Sequence, residues 1–382
     1  MGQTLGSSAL RLSVLDQSPV PAGFTAADAL NNSLALAQHV DRLGYTRLWY
    51  SEHHAMELLA CTAPEILIAR AAAATERIRV GSGGIMLPHY SAFKVAEVFR
   101  TLHAMFPGRI DLGVGRAPGG GQLEAYALRR NRKAAATDDF PQQLAELRAF
   151  LHPERFPASH PFANILVAPQ MPGAPDVWLL GSSMWSAVTA AQEGLPYAFA
   201  HFFSPIQTRQ AIEYYHANFV PSPDRARPEA TLAVGVICAE TTAEAERLAA
   251  SVRLLQRRIR RDDRRPVATP EDALRELNER PVPPNPLLPF TLGSADAPED
   301  GEWPRTFVGT PDRVAAQLRS LAAELQLGEI IVNTITHSQE ARLRSYTLLA
   351  EEMASTIRDR VLPAISPPLA ISPVHSSTER AG

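Results

Sequence analysis

Residues 49 to 54 read Trp-Tyr-Ser-Glu-His-His, an apolar run that ends in one carboxylate and two imidazoles. Such a run predicts a strand. Glu52, His53 and His54 at its carboxyl end would bring acid/base groups to the place where parallel α/β proteins build active sites. Adjacent strand residues face opposite ways, so only one of His53 and His54 points into a barrel mouth unless the strand has already ended. Two histidines in a metal site favour alternate positions or an i, i+4 helical pair, and no Asp/Glu/His cluster of matching spacing stands elsewhere, so no metal is expected. Two readings stay open: a structural imidazole capping a strand, and one that exchanges protons or hydrogen bonds with a ligand.

Three other stretches carry chemistry. Gly81-Ser82-Gly83-Gly84 leads into Ile85-Met86-Leu87-Pro88-His89-Tyr90, and paired glycines let a flat ring or another backbone approach closely. Gly113-Val114-Gly115-Arg116 puts a fixed cation on a glycine-rich loop, able to grip a phosphate or carboxylate or to pair with an acid on the rim. Leu180-Gly181-Ser182-Ser183 runs straight into a helix from Met184, whose first N–H groups and dipole favour an anion. Ser183 and Ser186 add hydroxyls there, although serine at a helix start is also a plain N-cap. Tyr90, Trp185, Phe202 and Phe203 near strand ends suit either a hydrophobic pocket or barrel core.

The elements that would position these residues alternate between strand and helix almost throughout. Eight strand candidates are readable: Arg11 to Asp16, Arg47 to Ser51, Ile78 to Met86, Arg109 to Val114, Asp176 to Leu180, Tyr197 to Phe203, Thr231 to Ala239 and Glu329 to Thr336. Thr62 with Glu65, and Thr241 with Glu244, have the spacing of a capping box, and Thr310-Pro311 that of an N-cap followed by proline. Val314, Leu318, Leu321 and Leu325 form a stripe that needs one buried face. Eight strands with helical crossovers fit a (β/α)8 barrel of the α/β class better than a doubly wound sheet, which usually has fewer strands and a glycine fingerprint after the first. The expected organisation is one barrel domain over 10–360. An extra helix and lid segment over 241–306, between the seventh and eighth of these strands, would sit above the carboxyl-end mouth. The alternative for 260–306 is a disordered surface insertion with a solvated arginine cluster, and a disordered tail is expected over 361–382.

Composition narrows the function classes. The 382 residues are 45% hydrophobic with a net charge of −3 and no charge block, which argues for a small-molecule partner and against nucleic acid. The two cysteines, Cys61 and Cys238, suit reduced thiols and a cytoplasmic location. No apolar run approaches the ~20 residues that span a membrane. There is no G-x-S-x-G elbow, no Walker A and no strand-following G-x-G-x-x-G.

Taken in order and spacing, Leu48 to His54, Ile78 to Pro88, Phe106 to Arg116, Leu180 to Ser183 and Val308 to Asp312 resemble the bacterial luciferase-like, flavin-dependent monooxygenases, over about Leu12 to Glu352. The resemblance implies a (β/α)8 barrel that binds reduced FMN at its mouth, usually as a homodimer, with a separate NAD(P)H:flavin reductase supplying the FMNH2 and O2 as co-substrate. His53 is similar to the family histidine beside the reactive flavin carbon, with His54 its neighbour. Gly84 matches the position along the isoalloxazine ring, and Arg116, Ser183 and Ser186 match the phosphate cluster. Gly115 stands where light-emitting members have cysteine and Ser182 where they have an acid, so the implied branch is non-luminescent. The implied reaction activates O2 as a flavin C4a-hydroperoxide and inserts one oxygen atom into a hydrophobic, aromatic or polyketide-like substrate, as in secondary-metabolite tailoring and antibiotic biosynthesis. The alternatives on the same barrel are an F420-dependent hydride-transfer enzyme and a non-catalytic flavin-binding protein.

Overall fold

The computed structural model describes residues 10–117, 121–128, 139–279 and 303–361. Its strands are β1 Arg11–Asp16, β2 Arg47–Tyr50, β3 Arg79–Met86, β4 Ile110–Gly115, β5 Asp176–Gly181, β6 Tyr197–Ala200, β7 Ala230–Cys238, β8 Thr306–Gly309 and β9 Glu329–Asn333. The helices between them are α1 Ala26–Arg42, α2 Pro64–Ala73, α3 Ala92–Met105, α4 Gln122–Leu128, α5 Phe140–Leu151, α6 Met184–Glu193, α7 Thr208–Asn218, α8 Thr242–Ile259, α9 Pro270–Asn278, α10 Pro311–Glu324 and α11 Gln339–Val361. Strands β1 to β7 pair side by side in parallel, β7 pairs with β9, and β9 returns to β1, with Arg11 opposite Glu329 and Val14 opposite Val332. These eight strands close a (β/α)8 barrel.

Alternation along each strand divides the core in two. Leu12, Val14, Leu48, Val80, Leu112, Leu179, Leu232 and Ile330 face the helices in one large cluster, while Leu15, Trp49, Trp178, Ala198, Ala233 and Ile331 fill the barrel interior. Burial on both faces is why the strands read as near-continuous apolar runs. The stripe on α10 is buried as its spacing requires, with Val314, Leu318 and Leu321 fully covered and Leu325 nearly so.

Charged residues at the first or second positions of the strands plug the amino end. The Arg47 guanidinium donates to both carboxylate oxygens of Glu329 and to Asp111. Arg79 joins Asp111 to Asp176, and the Trp49 indole also donates to Asp111. Arg47 lies 4.7 Å from the Trp178 ring centroid.

Several sequence expectations change. β6 ends at Ala200 rather than Phe203, because the chain turns there and Phe203 and Ser204 donate their N–H groups back to the Ala200 carbonyl. The Thr62 capping box does not form: α2 starts at Pro64 after an Ala63 N-cap that has no side-chain bond. Thr241 does cap α8, accepting from the Glu244 N–H, and the unforeseen box Thr25/Asp28 caps α1. β8 is a ninth strand too short to announce itself. It pairs with Gly235 to Cys238 at the carboxyl end of β7, above the point where β6 stops.

The inserted helix α8 packs Leu248, Val252 and Leu255 with Ile237, Leu58, Leu59, Val267 and Ile335. Ile237, Leu58, Leu59 and Ile335 end or follow a strand, and Val267 bridges to Pro21 after β1, so α8 lies over the carboxyl-end rim. The arginines at and after its carboxyl end are paired: Arg258 binds Glu276, Arg265 binds Asp263 while staying largely exposed, and Arg264 reaches the Ala55 carbonyl and Glu124. Residues 280–302 of the expected lid and the tail beyond Val361 lie outside the described residues. Among the described residues, no helix is long and apolar enough to cross a membrane.

Candidate active site

β2 ends at Tyr50, and Glu52, His53 and His54 follow it on the carboxyl-end rim. The strand has ended before the two histidines, and each finds the residue two positions back. His53 Nδ1 lies 3.1 Å from the Ser51 hydroxyl, and His54 Nε2 lies 2.7 Å from Glu52 Oε1. Glu52 has no exposed side-chain surface. Its carboxylate also accepts the Met86 N–H at 3.0 Å and the Tyr90 hydroxyl at 2.6 Å, which ties the end of β2 to the end of β3. Burial, with the neighbouring His54 adding to it, pushes the His53 imidazole down to about 4. His53 is therefore a neutral hydrogen-bonding group at neutral pH, not the imidazole titrating near pH 6.5 that its type alone implies.

Glycines shape the rim between β3 and β4. A Cβ on Gly83 would stand 2.6 Å from Leu15 Cδ1, and one on Gly84 would stand 2.8 Å from the Gly113 carbonyl oxygen. Gly83 and Gly84, joined by a cis peptide bond, thus allow the two strands and the interior to close up. Gly115 differs. Among the described residues, a Cβ there would meet nothing nearer than the Leu180 carbonyl oxygen at 4.0 Å, so this glycine is not closed in by them beside Arg116.

On the neighbouring strands, Arg116 leaves β4 and lays its guanidinium 3.9 Å from the Trp185 ring centroid, in the first turn of α6. Ser183 is the N-cap of α6 in extended conformation and makes no side-chain capping bond. Arg116 and Ser183 thus meet at one helix start, with Ser182 just before it in the same turn. Ser186 is turned away from this rim. It is buried, donates to the Ser183 carbonyl at 2.6 Å and shares a 2.9 Å bond with the Tyr197 hydroxyl, so it braces the turn. Gly181 makes room for it, since a Cβ there would fall 2.2 Å from the Ser186 hydroxyl.

The structure therefore gathers the sequence candidates into two groups on adjacent strands: Glu52, His53, His54 and Gly84 on β2 and β3, and Gly115, Arg116, Ser182 and Ser183 on β4 and β5. Sequence reasoning took Tyr90 and Trp185 only as apolar surface. Their roles as donor to Glu52 and platform for Arg116 depend on contacts that no local spacing reveals. Among the described residues, no group of three or more His, Cys, Asp or Glu side chains could hold a metal ion. A cation, a helix start, a glycine that the described residues do not close in and a neutral imidazole suit a planar, phosphate-bearing cofactor.

The profile of the luciferase-like monooxygenases matches residues 10–327. The chain belongs to that family. The crystal structure of apo-MsnO8 is 47% identical, covers 90% of this chain and 98% of its own, and superposes with a TM-score of 0.80. The N-acetyl-S-alkylcysteine monooxygenase of Bacillus subtilis is 35% identical over 351 residues, 91% of this chain and all of that one. At 20% identity, the oxygenating constituent of 3,6-diketocamphane monooxygenase from Pseudomonas putida, solved with FMN, shares the fold, with a TM-score of 0.66 over 91% of this chain and 98% of its own. In luciferase-like terms, this member presents glycine at 115 and serine at 182, both on the carboxyl-end rim.

Proposed function

We propose that the chain is a reduced-FMN-dependent monooxygenase acting on a hydrophobic organic substrate. The observation that carries the reading is the meeting of Arg116 with the first turn of α6, on the same rim as the neutral His53. Arg116 and the first-turn N–H groups that follow Ser183 would hold the phosphate, and Ser182 lies within the same turn. Gly84 would let the ring lie against backbone, and the space at Gly115 would receive it. Reduced FMN, when bound, supplies the two electrons by which one atom of O2 enters the substrate and the other leaves as water.

The remaining work falls to the protein. His53, neutral and partly buried, offers a ring nitrogen for hydrogen bonding without placing a charge in the mouth. Its neighbour His54 is turned to Glu52. α8 and the Arg264 bridge from Ala55 to Glu124 cover the rim, and excluding water favours productive oxygen transfer over loss as peroxide. Trp185, Tyr90 and the aromatic residues Phe202 and Phe203 after β6 suit an apolar substrate of the secondary-metabolite kind.

We place the protein in the cytoplasm, where a reductase would deliver FMNH2. We pair it as a homodimer through α2, whose Ile66 is 66% exposed beside Ala69 and Ala73. Sedimentation as a monomer alone at micromolar concentration would remove the dimer. Anaerobic titration with reduced FMN and reduced F420, followed by protein fluorescence, tests the cofactor. FMN binding is expected, and tight F420 binding without FMN binding would replace this reading with hydride transfer.

A further inference from the structure

Glu52 presents a problem that the flavin reading does not absorb. A fully buried carboxylate is costly unless its oxygens are satisfied, and an apolar side chain of similar size is often as stable. Its three donors come from separate stretches: His54 beside the rim imidazole, the Met86 amide two residues beyond Gly84, and Tyr90 after the 3-10 turn Leu87–His89. A carboxylate only accepts, so His54 Nε2 carries the hydrogen in this bond and the ring's orientation is fixed. Oε1 takes His54 and Tyr90 while Oε2 takes Met86, so both oxygens are used and all three bonds run toward the carboxylate.

We infer that Glu52 is a positioning residue for the isoalloxazine ring. It locks the backbone that leaves Gly84 and the histidine pair into one frame, so that the ring's placement depends on Glu52 while the phosphate's depends on Arg116. This rests on the flavin reading above and divides the site into two separately breakable halves.

The test compares Glu52→Gln, Tyr90→Phe and Arg116→Ala in the full-length protein, titrated anaerobically with reduced FMN and with reduced riboflavin, which lacks the phosphate. Circular dichroism of the bound flavin and the melting temperature are recorded alongside. A carboxamide either sets its amide group against the Met86 N–H or keeps that bond by reversing those to Tyr90 and His54 and switching the His54 tautomer, so Glu52→Gln should weaken both flavins by the same factor, about tenfold, and alter the dichroism. Tyr90→Phe should weaken both by roughly threefold, and Arg116→Ala should weaken FMN while sparing riboflavin. Wild-type affinity and unchanged dichroism in Glu52→Gln would overturn this inference alone. If that variant does not fold, the same result in Tyr90→Phe overturns it. Wild-type protein that binds neither flavin would overturn the inference and the flavin reading together.

Discussion

Arg47 and Arg116 stand at opposite ends of one barrel. Arg47 is 6% exposed in its side chain, gripped by Glu329 and Asp111 and sandwiched near Trp49 and Trp178. Arg116 is exposed and rests on the face of Trp185, over the start of a helix. The same side-chain type closes one end and, at the other, stands on the rim beside a helix start. Barrels place their chemistry at the carboxyl end, and the amino end can then be spent on stability. The strands show the division residue by residue. β2 begins with Arg47 in the plug and delivers Glu52, His53 and His54 beyond its far end, and β4 begins beside Asp111 in the plug and ends with Gly115.

The comparison is broken most severely at Arg47. Arg47→Met takes the bidentate partner from the buried Glu329 and one donor from Asp111, which keeps Arg79 and Trp49, and should cost about 3–5 kcal/mol in denaturant unfolding, whereas Arg116→Met should change stability by less than about 1 kcal/mol. Equal effects would mean that the two ends are not specialised.

The pH dependence of stability comes next. His53 and the buried His201, which lies between Thr208 and the Pro304 carbonyl, are both pushed down to about 4 by burial. Unfolded, each titrates near 6.5, so between these values the unfolded chain binds more protons than the folded one. Stability is then complete above about pH 6.5 and falls as the pH drops toward 4, by up to about 3 kcal/mol for each histidine. His201→Gln should flatten the change in urea midpoint between pH 7 and pH 5. An unaltered slope would show that His201 does not carry it.

Two glycines sharpen the picture with smaller effects. Gly84→Ala meets the Gly113 backbone and should destabilise by about 1–3 kcal/mol. Gly115→Ala meets none of the described residues closer than 4.0 Å and should stay within about 0.5 kcal/mol while weakening flavin binding. Comparable losses of stability at both positions would show that the space beside Arg116 is already filled.

Much of this was legible in the sequence. Strands buried on both faces are apolar runs bounded by polar or glycine-rich edges, and those edges are the rim itself, so His53, Gly84, Gly115, Arg116 and Ser183 could be singled out before the fold was known. What could not be read were partnerships across the barrel. The plug joins Arg47 to Glu329, 282 residues away, and Glu52 meets Tyr90 38 residues on. The lowered titration of His53 is hidden for the same reason: its type sets the starting value, but burial beside His54 sets the result. β8 escaped because four residues are too few to show alternation. Ser186 has the right type and place for a phosphate donor, yet Tyr197 and Ser183 already occupy its hydroxyl.

The central claim, that the carboxyl-end rim is a flavin site, is tested most directly by a crystal structure of the protein with FMN. The phosphate should lie at Arg116 and the start of α6, with the ring against Gly84 and a nitrogen of His53 within hydrogen-bonding reach of it. A rim left empty at saturating FMN, or a flavin bound elsewhere on the molecule, would contradict the account.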